Sequence, residues 1–229
     1  MEILKRKKDE TAKEYAYRTL KENIMNIELE PGQSISESEI AEKFSLSRTP
    51  VREILMKLKE EHLIEVVSQK GTYVSLINLD LVREGTFVRS ILEAEVLKLA
   101  CKGIDDEFKK KLDMNIFEYN YIVDREDSKA EKHYLDKKFH QIIFESVGMS
   151  NIWDSIQKLS THYNRVRVLS EIKSSDDHIL EQHKRIIEII KNKEYDKVDE
   201  IIETHIKDPM NKWKDLYSDG SEFKRYFNI

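Results

Sequence analysis

The chain has 229 residues, 36% of them charged, and a formal net charge of -5. It is long enough for one large domain or two small ones and too evenly charged to bind polyanions by bulk attraction. A single cysteine, Cys101, excludes an internal disulfide, and no apolar run approaches the ~18 residues of a spanning helix.

The opening MEILKRKKDE is basic but is followed by no apolar secretion segment, so a cytoplasmic protein with no membrane partner is expected. Cys101, set among Leu97, Leu99 and Ala100, suits a buried thiol without a catalytic role. With 6 Gly and 3 Pro, long helices joined by short connections are the expected architecture.

In chain order, residues 10–28 predict a first helix, with Tyr15, Leu20, Ile24 and Ile27 at near-helical spacing and Leu29-Glu30-Pro31-Gly32 as its breaker. Ser36 and Glu39 are spaced as a capping box ahead of Ile40, Ala41 and Phe44, which predicts a short second helix. A third helix starts near Ser47 and tolerates Pro50 in its first turn. It carries Val51, Leu55 and Leu58 on one face, with Arg48 and Arg52 one turn apart near the start of another. Two short β-rich runs, residues 64–67 and 72–75, flank Gln69-Lys70-Gly71 and predict a hairpin.

Helix, helix, turn, helix, hairpin is the order of a winged helix-turn-helix, whose third helix enters the DNA major groove by its N-terminal end. In that setting Arg48 and Arg52 can reach phosphates or guanine edges, Ser47 and Thr49 can donate to phosphate, and Lys70 and Gly71 form the wing tip. Double-stranded DNA is the expected partner. These residues resemble the DNA-binding domain of the GntR family of bacterial transcription regulators: Pro31-Gly32, Ser47-Arg48-Thr49-Pro50-Val51-Arg52 and Lys70-Gly71 match its pattern. One departure is His62, where the family usually has glycine. It must either adopt a left-handed turn or end the helix differently. The DNA-binding domain is therefore expected over residues 1–75, with Leu76 to Asp80 as a short, stiff link.

Residues 76–229 read as helix throughout, with segments expected at 80–102, 105–126, 128–147, 150–171, 176–192 and 195–217, broken at Lys102-Gly103, Val147-Gly148 and Ser174-Ser175. The fold class is thus mainly α, a winged helix-turn-helix followed by an antiparallel all-α bundle. Asp136 and His140 lie four apart and point from one helix face, where a carboxylate and an imidazole can bind one divalent ion. His183 and His205, flanked by isoleucines on later helices, are candidates for inward-facing ligands. Pro209 lacks the amide that would bond to the His205 carbonyl, so a kink is expected there. His133 and His178 read as surface residues.

This half resembles the FCD effector-binding domain of the FadR branch of the GntR family, whose metal-binding members use an Asp-x3-His on one helix and histidines on the last two. The resemblance implies a divalent metal on Asp136, His140, His183 and His205, with zinc, nickel, manganese or iron all compatible and zinc expected in the purified protein. An octahedral ion with four protein ligands has two positions left for water or an effector's oxygens. The resemblance also implies that Arg89 forks onto a small carboxylate effector, with Asn151, Tyr163, Asn164 and Arg165 as further cavity candidates. The competing reading of Arg89 is an ion pair with Glu93, four residues on. Homodimerisation on a pseudo-palindromic operator and repression complete what the family implies. A metal-dependent hydrolase fused to a DNA-targeting module is the alternative, because an Asp/His3 ion with open positions can activate water; a purely structural ion is a third reading.

Overall fold

The computed structural model describes residues 1–125, 128–173 and 178–229. Two compact units divide the chain: Met1–Val82 with Thr161–Leu169 and Leu216–Ile229, and Arg83–Ser160 with Ser170–Asp215.

In the first unit, helix α1 (Ala12–Met25) begins at Thr11, whose hydroxyl accepts from the Glu14 amide while the Glu14 carboxylate accepts from the Thr11 amide. Both bonds of a capping box are therefore present at Thr11. At Ser36, the predicted box, only half forms: its hydroxyl accepts from the Glu39 amide at 3.4 Å. Helix α2 (Glu37–Phe44) still starts there, and Ser45 ends it in the left-handed region at φ 52°. Helix α3 (Arg48–Glu60) follows α2 after three residues, with Pro50 in its first turn. Strands β1 (Ser34–Ile35), β2 (Ile64–Val67) and β3 (Gly71–Val74) form an antiparallel sheet in the order β1-β3-β2, with Ile64 opposite Val74 and Val67 opposite Gly71. The turn at the wing tip places Gln69 at φ 61° and Gly71 at φ 126°, a conformation that only glycine adopts readily. Leu20, Ile24, Val51, Ile54, Leu58, Leu63 and Val74 are buried together under the three helices and the sheet. Each contributes about 1.5–3 kcal/mol on burial.

The predicted link after the wing is itself a strand. Strand β4 (Ile77–Asn78) pairs in parallel with β5 (Phe227–Asn228), so the C-terminal residues strap the chain as it leaves the wing. Tyr217 packs against Phe227, and the Arg225 guanidinium approaches Glu30 at 3.4 Å.

The second unit is helical: α4 (Leu79–Ala100), α5 (Asp106–Ile122), α6 (Lys129–Ser146), α7 (Ser150–Leu159) and α9 (Ile179–Asn192) lie wholly or mostly within it. The expected segment 150–171 is two helices, because α7 ends at a buried Ser160 and α8 (Thr161–Lys173) starts anew. The predicted break at Ser174-Ser175 and the predicted helix start at 176 fall outside the described residues. Cys101 is a buried free thiol whose Sγ lies 3.6 Å from the Ile189 carbonyl, as its apolar neighbours implied. Among the described residues no helix is long and apolar enough to cross a membrane.

The last predicted helix, 195–217, is broken at the position that Pro209 predicts. Helix α10 (Val198–Ile202) passes into a π-helical turn (Glu203–Lys207) before α11 (Pro209–Tyr217). Without a Pro209 amide the His205 carbonyl has no α-helical donor, and the Asp208 amide reaches back five residues to the Glu203 carbonyl at 3.0 Å.

Candidate functional sites

The residues expected to meet DNA lie in the first unit. Ser47, Arg48, Thr49 and Arg52 are all exposed at the start of α3, and Lys70 and Gly71 are exposed at the wing tip. Ser47 occupies the N-cap position but its hydroxyl makes no cap bond, which leaves it available to a phosphate. Arg52 is not idle: its Nε donates to Glu37 at 3.1 Å, in a pair whose side chains are 66% and 40% exposed. An ion pair so open to water is worth about 0–1 kcal/mol, so DNA can displace it.

His62, the departure from the glycine pattern, takes the left-handed conformation at φ 57°. The Leu63 amide donates to the Leu58 carbonyl and the His62 amide to the Lys59 carbonyl, so α3 closes in the motif that glycine usually completes.

In the second unit, Asp136, His140, His183 and His205 converge. One donor atom from each lies within 4.8 Å of all the others, and all four residues are buried. His140 and His205 bring their Nε2 atoms to 3.1 Å, and Asp136 Oδ1 lies 3.4 Å from His183 Nε2 and 3.9 Å from His140 Nε2. A shared ion at about 2.1 Å from each donor sets adjacent donors about 3.0–3.4 Å apart and opposite ones about 4.2 Å apart, so the separations of 3.1, 3.4 and 3.9 Å fit one ion and a pair as wide as 4.8 Å must close by about 0.6 Å to share it.

The tautomers fit as well. His140 donates from Nδ1 to Glu93 Oε2 at 2.8 Å, and His205 donates from Nδ1 to Gln182 Oε1 at 2.9 Å. The Gln182 amide is oriented by its own donation to the Thr204 carbonyl at 3.2 Å. Each imidazole thus spends its proton behind the site and turns its Nε2 lone pair inward. Two Nε2 atoms 3.1 Å apart need either a proton or a metal ion shared between them. Burial, the largest cause, holds His205 well below its ordinary pKa and so in the neutral, ligand-competent form.

The walls of the site are aromatic. Phe139 stacks on His183 at 3.8 Å between ring centroids, and Trp153 of α7 stacks on His140 at 5.8 Å.

Arg89 makes the i,i+4 ion pair, its Nε donating to Glu93 Oε1 at 2.6 Å, and is only 1% exposed. Burial alone would raise the Glu93 carboxyl, but the Arg89 guanidinium and the hydrogen bonds from His140 and Arg89 outweigh it and hold Glu93 below the ordinary carboxylate range. Arg89 therefore reaches the ligand cluster through Glu93. Asn151 is exposed at the start of α7. Arg165, with Tyr163 and Asn164, belongs to the other compact unit, where its guanidinium bonds to Ser75 and His162. His178 is exposed, whereas His133 is half-buried instead of lying on the surface. Sequence reasoning missed three supports of the site. Glu93 was read only as Arg89's partner, Gln182 could have been found as the polar neighbour of His183, and Trp153 carried no signal of its own.

The profile described as "Bacterial regulatory proteins, gntR family" matches residues 12–74, and the FCD domain profile matches residues 84–208, more than half the chain. The chain belongs to the GntR family. This GntR-family regulator is similar to the HTH-type transcriptional repressor RspR of Escherichia coli K12, at 29% identity over 208 residues, covering 90% of this chain and 91% of that one. It is also 29% identical over 205 residues to the gluconate operon transcriptional repressor of Bacillus subtilis, covering 86% and 83% of the two chains. Among solved structures, E. coli McbR/YncC superposes with a TM-score of 0.75 at 17% identity, covering 91% of this chain and 99% of that one, which shows a shared fold. The GntR-family chain is therefore a DNA-binding transcriptional regulator with an N-terminal helix-turn-helix and a helical FCD domain. Its families and relatives are regulators, and none supports the hydrolase alternative.

Proposed function

We propose that this regulator senses a small carboxylic acid through a divalent metal held by Asp136, His140, His183 and His205, and that it acts as a repressor. The observation that carries the reading is the convergence of four buried donor atoms within 4.8 Å of one another, with the His140 and His205 Nε2 atoms 3.1 Å apart and both Nδ1 atoms bonded elsewhere. When bound, the metal supplies a Lewis-acidic centre with coordination positions for a carboxylate's oxygens. The chain's own residues do the rest. Glu93 and Gln182 orient two of the imidazoles, Arg89 supports Glu93, and Phe139 and Trp153 keep the site dry. Zinc, nickel, manganese and iron all suit this donor set. Arg89 and Asn151 are the residues proposed to meet the effector.

DNA recognition is assigned to Ser47, Arg48, Thr49, Arg52, Lys70 and Gly71, working in a homodimer on a pseudo-palindromic operator in the cytoplasm. An effector that binds better to the dimer geometry unable to span both half-sites weakens operator affinity by linkage.

The test is a thermal-shift panel of small carboxylic and sugar acids on metal-replete protein, repeated after chelation and in His183→Ala. A stabilising acid whose effect requires the metal supports the reading. Retained metal with no shift from any acid would make the ion structural and sink the sensor assignment.

A further inference from the structure

Arg165 of α8 is fully buried, at 0% exposure, in the compact unit that contains the recognition helix and wing. Buried arginines are ordinarily met by carboxylates. Here the described hydrogen bonds go to neutral groups instead. Nη1 donates to the Ser75 carbonyl at 2.8 Å, Nη2 donates to Ser75 Oγ at 3.1 Å and reaches His162 Nδ1 at 3.0 Å, and Nε has no hydrogen-bond partner among the described residues. A charge kept in such surroundings costs stability, and an apolar side chain of similar size would fill the space more cheaply.

What the charge holds is specific. Ser75 is the residue that follows wing strand β3, and its Oγ donates to the His62 carbonyl at 2.6 Å, just past the end of α3. The Ser75 amide donates to the Leu63 carbonyl at 3.0 Å. Around Arg165, Thr161 Oγ1 donates to the Glu61 carbonyl at 3.0 Å, and His162 Nδ1 accepts from the Asn78 amide at 3.0 Å. Three side chains from two turns of α8 thus reach the end of the recognition helix, the exit of the wing and strand β4. None of the three lies within residues 12–74, the stretch that matches the gntR profile.

We infer that Arg165, with Thr161 and His162, is a positioning element of the DNA-binding unit, fixing the end of α3 against the exit of the wing so that both meet the operator in one geometry. The inference rests on the DNA-binding reading alone and is independent of the metal. Its physical basis is that Thr161 bonds at the Glu61 carbonyl ahead of β2 and Arg165 bonds to Ser75 after β3, so one turn of α8 holds both ends of the wing hairpin. Phosphate contacts tolerate small errors in the angle between wing and recognition helix, whereas base contacts do not.

The experiment uses the full chain. A duplex is selected by the wild-type protein from a random-sequence library, and fluorescence anisotropy compares it with a scrambled duplex for Arg165→Gln, Arg165→Lys and Ser75→Ala. Arg165→Gln and Ser75→Ala are expected to weaken binding of the selected duplex by about 3–10-fold, the equivalent of one hydrogen bond, with affinity for the scrambled duplex unchanged and cooperative melting retained. Arg165→Lys, which keeps one donor, should recover part of the loss. Unchanged affinity for the selected duplex in folded Arg165→Gln and Ser75→Ala overturns the inference. So does an equal fall on both duplexes, or failure of Ser75→Ala to fold, since either makes the contact a requirement of folding and not of recognition.

Discussion

His140 illustrates how one residue's chemistry is set by the one behind it. Glu93 accepts a hydrogen bond from its Nδ1, and Arg89 keeps Glu93 ionised, so a candidate ligand on α6 depends on an ion pair within α4. Replacing Glu93 with Gln should reduce metal affinity by about 10–100-fold, measured by competition with a chelating dye, because the imidazole loses its orienting carboxylate. Equal affinity in the variant would show that orientation is supplied elsewhere. The i,i+4 spacing of Asp136 and His140 was legible in the sequence, but the role of Glu93 was not, because nothing in a one-dimensional pattern brings α4 to α6. His162 offers a separate test. Burial, then the Arg165 and His62 charges, pushes its pKa down to about 3 from the ordinary 6.5. Because the unfolded state takes up a proton near pH 6.5 that the folded state refuses, the His162 contribution is complete above that pH. As pH falls from about 6.5 toward 3 it is lost at up to about 1.4 kcal/mol per unit. Melting curves of His162→Gln should therefore depend less steeply on pH across this window than those of the wild type.

At the scale of elements, helix ends decide more than helix interiors. The end of α3 is a left-handed residue with a β-carbon, His62, in a place where glycine carries no steric penalty. His62→Gly should raise stability by about 0.5–1 kcal/mol in urea denaturation, since the exposed ring is lost at little cost and the backbone bonds remain. A destabilised variant would mean that the imidazole itself holds the turn. The π-helical turn at Glu203–Lys207 was legible because proline removes a defined hydrogen bond. The division of 150–171 at Ser160 was not legible, since no glycine or proline marks it. There the break serves contacts remote in sequence, with Thr161 reaching Glu61. The half-formed capping box at Ser36 and the complete one at Thr11 teach the same lesson, because spacing permits the reciprocal bond and the local backbone decides whether it forms.

For the whole molecule, the measurable output is operator affinity. Arg48→Ala should cost about 1–3 kcal/mol on a selected duplex if Arg48 reads a base edge, and should relax specificity at one position. Arg52→Ala should cost less than an equivalent contact by up to about 1 kcal/mol, because the wild type must first break the Arg52–Glu37 pair that the variant lacks. Titrations of both variants by anisotropy at several salt concentrations separate the two effects. A larger penalty at Arg52 than at Arg48 would contradict this ordering.

The sequence by itself determined the parts that depend on short-range order: the helix-turn-helix and wing, whose turn residues and apolar spacing are local, and the four ligand candidates, whose types are chemically restricted. Tertiary structure alone decided which groups stand behind those candidates, that Arg89 is joined to them through Glu93, and that Arg165 bonds to Ser75 just past the wing. It also decided that residues 161–169 and 216–229 pack with the N-terminal unit. The physical reason is the same in each case. A buried polar group must find its partner wherever the packed chain brings one, and sequence spacing records such partners only when they lie within a turn or two of each other.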